Sequence, residues 1–281
     1  MRNTQSITCP RIGDRSNCFR HRSGSTDVYE NNSAMIRQCN ASDPRWGSEN
    51  RPAKAEVIWR TLSYFAGSAI QRDVWADIGC GSGGIAAALS PRVGRMIGID
   101  PEPWQRWETW TKNNSNLNFI VGSYDSSPPF LNDASIDVAI CNQVYEHVPD
   151  PQQLIAEIYR ILKPGGYCYF AGPNLLFPIE PHVFWPFIHW IPRSLAIRIM
   201  KIAKAKSIID ANSTTYWKLK KWLREFEIID AVPEIASAPS NFGKTGKAWG
   251  LVSFTPKWLT KSLMPLSPGF IFILRKPETK K

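Results

Sequence analysis

An apolar run, Val74 to Ile78, passes directly into Gly79-Cys80-Gly81-Ser82-Gly83-Gly84, and a helix opens at Ile85. A second apolar run follows at Met96-Ile97-Gly98-Ile99-Asp100. Strand, glycine turn, helix and strand in this order form the first crossover of a doubly wound α/β sheet. The glycines let the backbone approach a ligand that a Cβ would exclude, and the helix directs its free N–H groups into the same space. Asp100, at the carboxyl end of the second strand, is placed to accept hydrogen bonds from ribose hydroxyls. The sequence therefore predicts a pocket for a nucleotide-bearing cofactor.

Two details argue against a dinucleotide. Asp77 stands two residues before the first glycine, and the spacing Gly79-x-Gly81-x-Gly83 differs from the phosphate-binding G-x-G-x-x-G. A carboxylate beside the turn repels a pyrophosphate and suits a ligand with a cationic amino-acid end, such as S-adenosylmethionine. At these residues the chain resembles the class I S-adenosylmethionine-dependent methyltransferases, whose first motif joins an acidic residue to a glycine-x-glycine turn.

Two further blocks narrow the resemblance. Ser135 to Cys141 reads as a buried strand ending in the polar loop Asn142-Gln143-Val144-Tyr145-Glu146-His147-Val148. Gln152 to Leu162 carries apolar residues at Leu154, Ile155, Ile158, Ile161 and Leu162, the spacing of a helix with one buried face. Lys163-Pro164-Gly165-Gly166 is expected to stop that helix, and Tyr167 to start the next strand. This order is similar to the type-11 branch, which includes ubiquinone- and menaquinone-pathway methyltransferases, over about residues 57 to 174. The resemblance implies a Rossmann-like seven-stranded sheet with an antiparallel last strand and a helical lid insertion, and S-adenosyl-L-methionine as cofactor. It implies a cofactor site at Asp77, Gly79, Cys80, Gly81, Gly83, Asp100, Pro101, Ser123, Tyr124, Asp125 and Asn142.

An oxygen nucleophile attacking a sulfonium methyl needs a base. His147, whose imidazole accepts a proton near neutral pH, is the first candidate, with Glu146 to orient it or to hold a cation. Set against this is a plain structural role for both residues as caps of the loop-to-helix junction. Quinone-pathway relatives carry E-x-x-E-H here, a pattern linked to a divalent metal; this chain has Gln143 at the first position, and no metal is expected. Relatives commonly have G-D-A after the third strand where this chain has Gly122-Ser123-Tyr124-Asp125. The adenine amino group then falls to Ser123 or Asp125, with the ring on Tyr124, and spacing leaves the two open. His182 and His189, within an aromatic insertion, are spare candidates for substrate contact.

The chain has 281 residues, 43% of them apolar, enough for one substantial core. It has no run approaching the ~18 apolar residues of a membrane span and no leader-like N-terminus, so a cytoplasmic location is expected. Six cysteines without a CxxC pair, among them Cys80, Cys141 and Cys168, read as small thiols, not bridges. Residues 1–50, polar and arginine-rich, read as a flexible extension before a methyltransferase domain over 51–281, whose insertions are 173–225 and 233–269. The net charge of +10 lies wholly in the last third, since residues 1–174 hold 17 basic and 17 acidic residues and 175–281 hold 17 and 7.

The helix predicted over Ser194 to Lys206 groups Leu195, Ile199, Ile202 and Ala203 on one face and Arg198, Lys201 and Lys204 on the other. It is expected to pack its apolar stripe on the sheet, with contact to a membrane surface through 184–206 as the functional alternative. Glu225 to Val232 and Phe270 to Leu274 are expected as an antiparallel hairpin at a sheet edge. Together these features predict methyl transfer to a small-molecule, lipid-linked or saccharide acceptor, on oxygen or carbon; type-11 enzymes of surface-polysaccharide loci have a similar insertion. An RNA methyltransferase and a catalytically silent cofactor-binding scaffold are the alternatives. Salt-sensitive nucleic-acid binding marks the first, and cofactor binding without turnover marks the second.

Overall fold

The computed structural model describes residues 51–70, 74–126, 129–179, 185–203 and 212–278; the expected N-terminal extension, His182 and Lys204 lie outside them. Strand β1 (Val74–Ile78) is buried from its second residue onward, as a central strand covered on both faces must be. Its neighbours β2 (Arg95–Asp100) and β4 (Ile136–Asn142) run parallel to it, with Ala76 opposite Ile97 on one side and Ala139 on the other. β3 (Leu117–Val121) pairs parallel with β2, and β5 (Leu162–Pro173) parallel with β4.

β6 (Glu227–Asp230) and β7 (Gly269–Arg275) complete a seven-stranded sheet of order β3-β2-β1-β4-β5-β7-β6. β7 lies antiparallel to both β5 and β6. The antiparallel last strand and the pairing of the final two strands thus match the expectation.

Helices cover both faces. On one, α1 (Arg51–Ala66) and α2 (Gly84–Leu89) contribute Ile58, Leu62, Ile85 and Leu89 to a core with Trp75, Met96 and Ile140. On the other, α4 (Pro151–Ile161) buries Leu154, Ile155, Ile158 and Ile161 against Ile78, Ile97 and Phe170. Each such side chain contributes about 1.5–3 kcal/mol on full burial. α3 (Trp107–Asn113) connects β2 to β3.

Two expectations need correction. β5 starts at Leu162, five residues before Tyr167, and its pairing with β4 shifts register between Ile136 and Val138. Lys163-Pro164-Gly165-Gly166 is therefore an irregularity inside the strand. Gly165, at φ 72°, donates to the Lys276 carbonyl at 2.9 Å, so the bulged residues still pair with the chain after β7.

The second correction concerns α5 (Arg193–Ile202), the helix of the aromatic insertion. The stripe expected to face the sheet, Leu195, Ile199 and Ile202, is exposed, and the helix buries Ala196 and Met200 instead, beside Ile188, Trp185 and Ile191. A stripe one residue over wins because it packs on the helix's own preceding turn, not on the sheet.

The first insertion ends with α6 (Tyr216–Trp222), before β6, and α7 (Val232–Ser237), α8 (Lys247–Val252) and α9 (Lys257–Leu263) lie between β6 and β7. Among the described residues, no helix is long and apolar enough to cross a membrane. Cys80, Cys141 and Cys168 are free, buried thiols.

Candidate active site at the carboxyl end of the sheet

The glycine turn closes over the end of β2. Gly79 and Cys80 donate their backbone N–H groups to the Ile99 carbonyl at 2.8 and 3.0 Å, and Gly83 donates to the Cys80 carbonyl at 3.0 Å. Gly79, at φ 68°, is packed so closely that a Cβ there would lie 2.6 Å from Val144 Cγ2. Gly81, at φ 52°, faces open space, with only Trp104 approaching its Cβ position, at 3.8 Å. The turn is thus close-packed beneath and clear above, the arrangement a ligand-binding turn requires.

Two carboxylates flank this turn. Asp77 is 2% exposed, and its Oδ2 accepts no hydrogen bond. Burial pushes its carboxyl up to about 7, with Asp100 adding to the rise and Arg51 opposing it. Asp100 accepts from the Gly81 N–H through Oδ2 at 2.8 Å, and through Oδ1 from the Glu102 N–H at 3.1 Å and Trp104 Nε1 at 3.4 Å. Burial raises its carboxyl too, against those three donors. Pro101, next in the chain, is exposed.

Three indoles hold the turn from α3 and the loop before it. Trp104 donates to Asp100, Trp107 Nε1 to the Gly81 carbonyl at 2.8 Å, and Trp110 Nε1 to the Ser82 carbonyl at 3.0 Å. Trp107 stacks on Phe119 of β3 with ring centroids 4.7 Å apart. Sequence reasoning overlooked these residues, although their spacing of three puts them along one helical face.

After β3, Ser123 is half-buried and donates its N–H to Ser126 Oγ, while Asp125 is exposed. The Tyr124 hydroxyl accepts from the Asp150 N–H at 3.3 Å, which ties this loop to the start of α4.

The loop after β4 begins at half-buried Asn142 and turns at Gln143, whose φ of 60° is unusual for a residue with a side chain. Tyr145 is fully buried, donates its hydroxyl to the Pro173 carbonyl and accepts from the Thr214 N–H. Glu146 is also fully buried, and a Cβ on Gly172 would lie 3.3 Å from its Oε2. His147 Nε2 lies 3.9 Å from Glu146 Oε1, beyond hydrogen-bond distance, with its side chain 26% exposed.

The capping role considered for these two residues belongs elsewhere: Asp150 caps α4, accepting from the Gln152 and Gln153 N–H groups, with Pro151 at the first helical position. His189 is a packed loop residue whose Nε2 lies 3.0 and 2.9 Å from the Leu175 and Phe177 carbonyls. Among the described residues, no three histidines, cysteines or carboxylates gather as a metal site would need.

Sheet order and the glycine turn after β1, with a carboxylate on either side of it, are those of a Rossmann-like domain. Residues 76–170 match the family described as "Methyltransferase domain". An uncharacterized methyltransferase of Mycobacterium leprae is 35% identical over 102 residues, 34% of this chain and 38% of that protein. A ubiquinone biosynthesis O-methyltransferase of Vibrio atlanticus is 32% identical over 105 residues, 35% of this chain and 42% of that protein. The match thus spans about two fifths of the length of either relative. Among solved structures, the 1,6-didemethyltoxoflavin-N1-methyltransferase of Burkholderia thailandensis shares the fold over 92% of this chain and 93% of that one, with TM-score 0.50 and 14% identity.

Proposed function

We propose that residues 51–281 act as a methyltransferase domain that moves a methyl group from S-adenosylmethionine to a small-molecule, lipid-linked or saccharide acceptor, on oxygen or carbon. The observation that carries this reading is the pair of carboxylates around one glycine turn, Asp77 buried with an oxygen that accepts no hydrogen bond and Asp100 bonded to the Gly81 N–H. Two carboxylates so placed repel a pyrophosphate and fit a ligand with an ammonium group at one end and ribose hydroxyls in its middle. Asp77 then serves the ammonium group and Asp100 the ribose. Gly79, Cys80, Gly81 and Gly83 supply the close backbone, and Pro101, Ser123, Tyr124, Asp125 and Asn142 supply the adenosine side.

Bound cofactor supplies an electrophilic methyl group on a sulfonium. The chain's own residues orient the acceptor, exclude water and, for an oxygen acceptor, take its proton. His147 is the candidate to take that proton at Nε2, and the Glu146 carboxylate 3.9 Å away favours the imidazolium once it forms. Peripheral membrane contact through 184–206 belongs to the same reading, supported by exposed Leu195, Ile199 and Ile202 on a helix that also carries Arg198 and Lys201.

Tritiated methyl transfer from S-adenosylmethionine into lipid extracts, small phenols and oligosaccharides tests the proposal. A labelled product identifies the acceptor class. Cofactor binding with no transfer to any class supports the silent scaffold instead. His147→Ala should then lower turnover by about 10²–10⁴-fold with cofactor affinity unchanged; full turnover in that variant makes His147 a structural residue only.

A further inference from the structure

The chain between β6 and β7 leaves a surface of different character from the rest. Helices α8 and α9 bury none of their residues. Leu251 is 75% exposed, Phe254 86% and Trp258 69%, with Leu263 and Leu266 also exposed. Single exposed apolar residues are ordinary, but this run places large side chains at short intervals along one excursion.

Beyond Glu234 its charge is of one sign. No Asp or Glu occurs between Glu234 and Glu278, whereas Lys244, Lys247, Lys257 and Lys261 all fall within the excursion. Lys257 pairs with Glu234 at 2.7 Å, which anchors α9 to α7. Exposed apolar and aromatic side chains on a segment that carries lysines and, over residues 235–277, no carboxylate are complementary to the acyl boundary and anionic headgroups of a bilayer. A protein partner of ordinary composition gives no reason for the exclusion of carboxylates from residues 235–277.

Topology sets where this excursion joins the sheet. β6 runs parallel to β5 and β7 antiparallel to both, so the excursion leaves and rejoins the sheet at the carboxyl ends of the parallel strands. The glycine turn, Asp100 and Asn142 lie at that same end. Asn174, just past β5, donates Nδ2 to the Pro265 and Ser267 carbonyls at 2.8 and 2.9 Å and fixes the turn after α9 there.

We propose that α8 and α9, through Leu251, Phe254 and Trp258 with Lys247 and Lys261, form a docking surface for an anionic lipid bilayer that holds the cofactor end of the sheet toward the membrane. The surface is distinct from α5 and is argued without reference to the acceptor, so a binding assay judges it separately from methyl transfer.

The test is co-sedimentation of the full chain with vesicles of phosphatidylglycerol and phosphatidylcholine, beside pure phosphatidylcholine. Wild type should pellet with the anionic vesicles, and raised salt should weaken it. Leu251→Ser/Phe254→Ser/Trp258→Ser should lower vesicle affinity by about tenfold or more, as should Lys247→Glu/Lys261→Glu. None of these five side chains is buried, so circular dichroism and melting temperature should stay at wild-type values. Absence of wild-type pelleting overturns the proposal. So does pelleting that survives both variants but is lost in Leu195→Ser/Ile199→Ser/Ile202→Ser, which assigns the contact to α5. A wild-type dimer in light scattering that the triple variant converts to monomer, with vesicle binding unchanged, also overturns it by making the patch a protein contact.

Discussion

Asp100 Oδ2 accepts the backbone N–H of Gly81 at 2.8 Å, so the acidic end of β2 and the glycine turn after β1 form one unit. Sequence reasoning gave Asp100 to the ribose alone, yet its carboxylate already bonds three donors of the protein. A carboxylate has about four lone-pair sites, so both tasks fit one residue. Asp100→Ala should weaken S-adenosylmethionine binding by about 1–3 kcal/mol, the cost of losing hydrogen bonds to a charged group. Calorimetry with unchanged affinity would remove Asp100 from the site.

Trp107→Phe keeps a ring stacked on Phe119 but deletes the donor to the Gly81 carbonyl. Leaving that carbonyl with only the weak Cys80 thiol donor at 3.8 Å should cost about 1–2 kcal/mol. The variant should melt roughly 2–6 °C lower and bind cofactor severalfold more weakly. Thermal unfolding followed by circular dichroism, with calorimetry on the same sample, checks both; normal values in each make the indole ladder incidental.

A Cβ on Gly79 would meet Val144 at 2.6 Å in a backbone conformation that side chains disfavour. Gly79→Ala should therefore destabilise the fold by about 2–4 kcal/mol, the sum of overpacking and left-handed strain. Adding Val144→Ala removes the steric part and should recover about 1 kcal/mol or more in a double-mutant cycle. Purely additive costs in urea titrations would show that the two residues do not press on each other.

Asp77 gives a pH signature. Its carboxyl is raised from 3.8 to about 7, so the folded protein without ligand keeps a proton that the unfolded chain has already lost. The stability this confers is present below the unfolded value and declines as pH rises through about 7. A cationic ligand end favours the carboxylate, so cofactor binding near pH 6 should release a proton, and affinity should rise as pH approaches 7. Calorimetry in two buffers of different ionisation enthalpy measures that proton, and Asp77→Asn should abolish it. No proton release from the unmodified protein would separate Asp77 from the ligand's ammonium group.

The sheet was legible because buried parallel strands are continuous apolar runs and glycine marks the turn between β1 and α2. The cap of α4 was equally legible in Asp150-Pro151, an N-cap followed by proline at the first helical position. The orientation of α5 was not legible. Periodicity groups Leu195, Ile199 and Ile202, but only tertiary packing decides that Ala196 and Met200 are the side that finds a partner. The ladder of Trp104, Trp107 and Trp110 was visible as a spacing and silent as to its acceptors, the Asp100 carboxylate for the first and backbone carbonyls of a turn far away in sequence for the other two. Likewise, nothing in a string of residues marks Tyr145 as fully buried with its hydroxyl on the Pro173 carbonyl.

Isothermal calorimetry of the purified chain with S-adenosylmethionine and with S-adenosylhomocysteine tests the central claim most directly. The account predicts saturable one-site binding of both ligands, weakened by Asp100→Ala and accompanied near pH 6 by proton release that depends on Asp77. No heat from either ligand, in a sample whose circular dichroism shows a folded α/β protein, would contradict it.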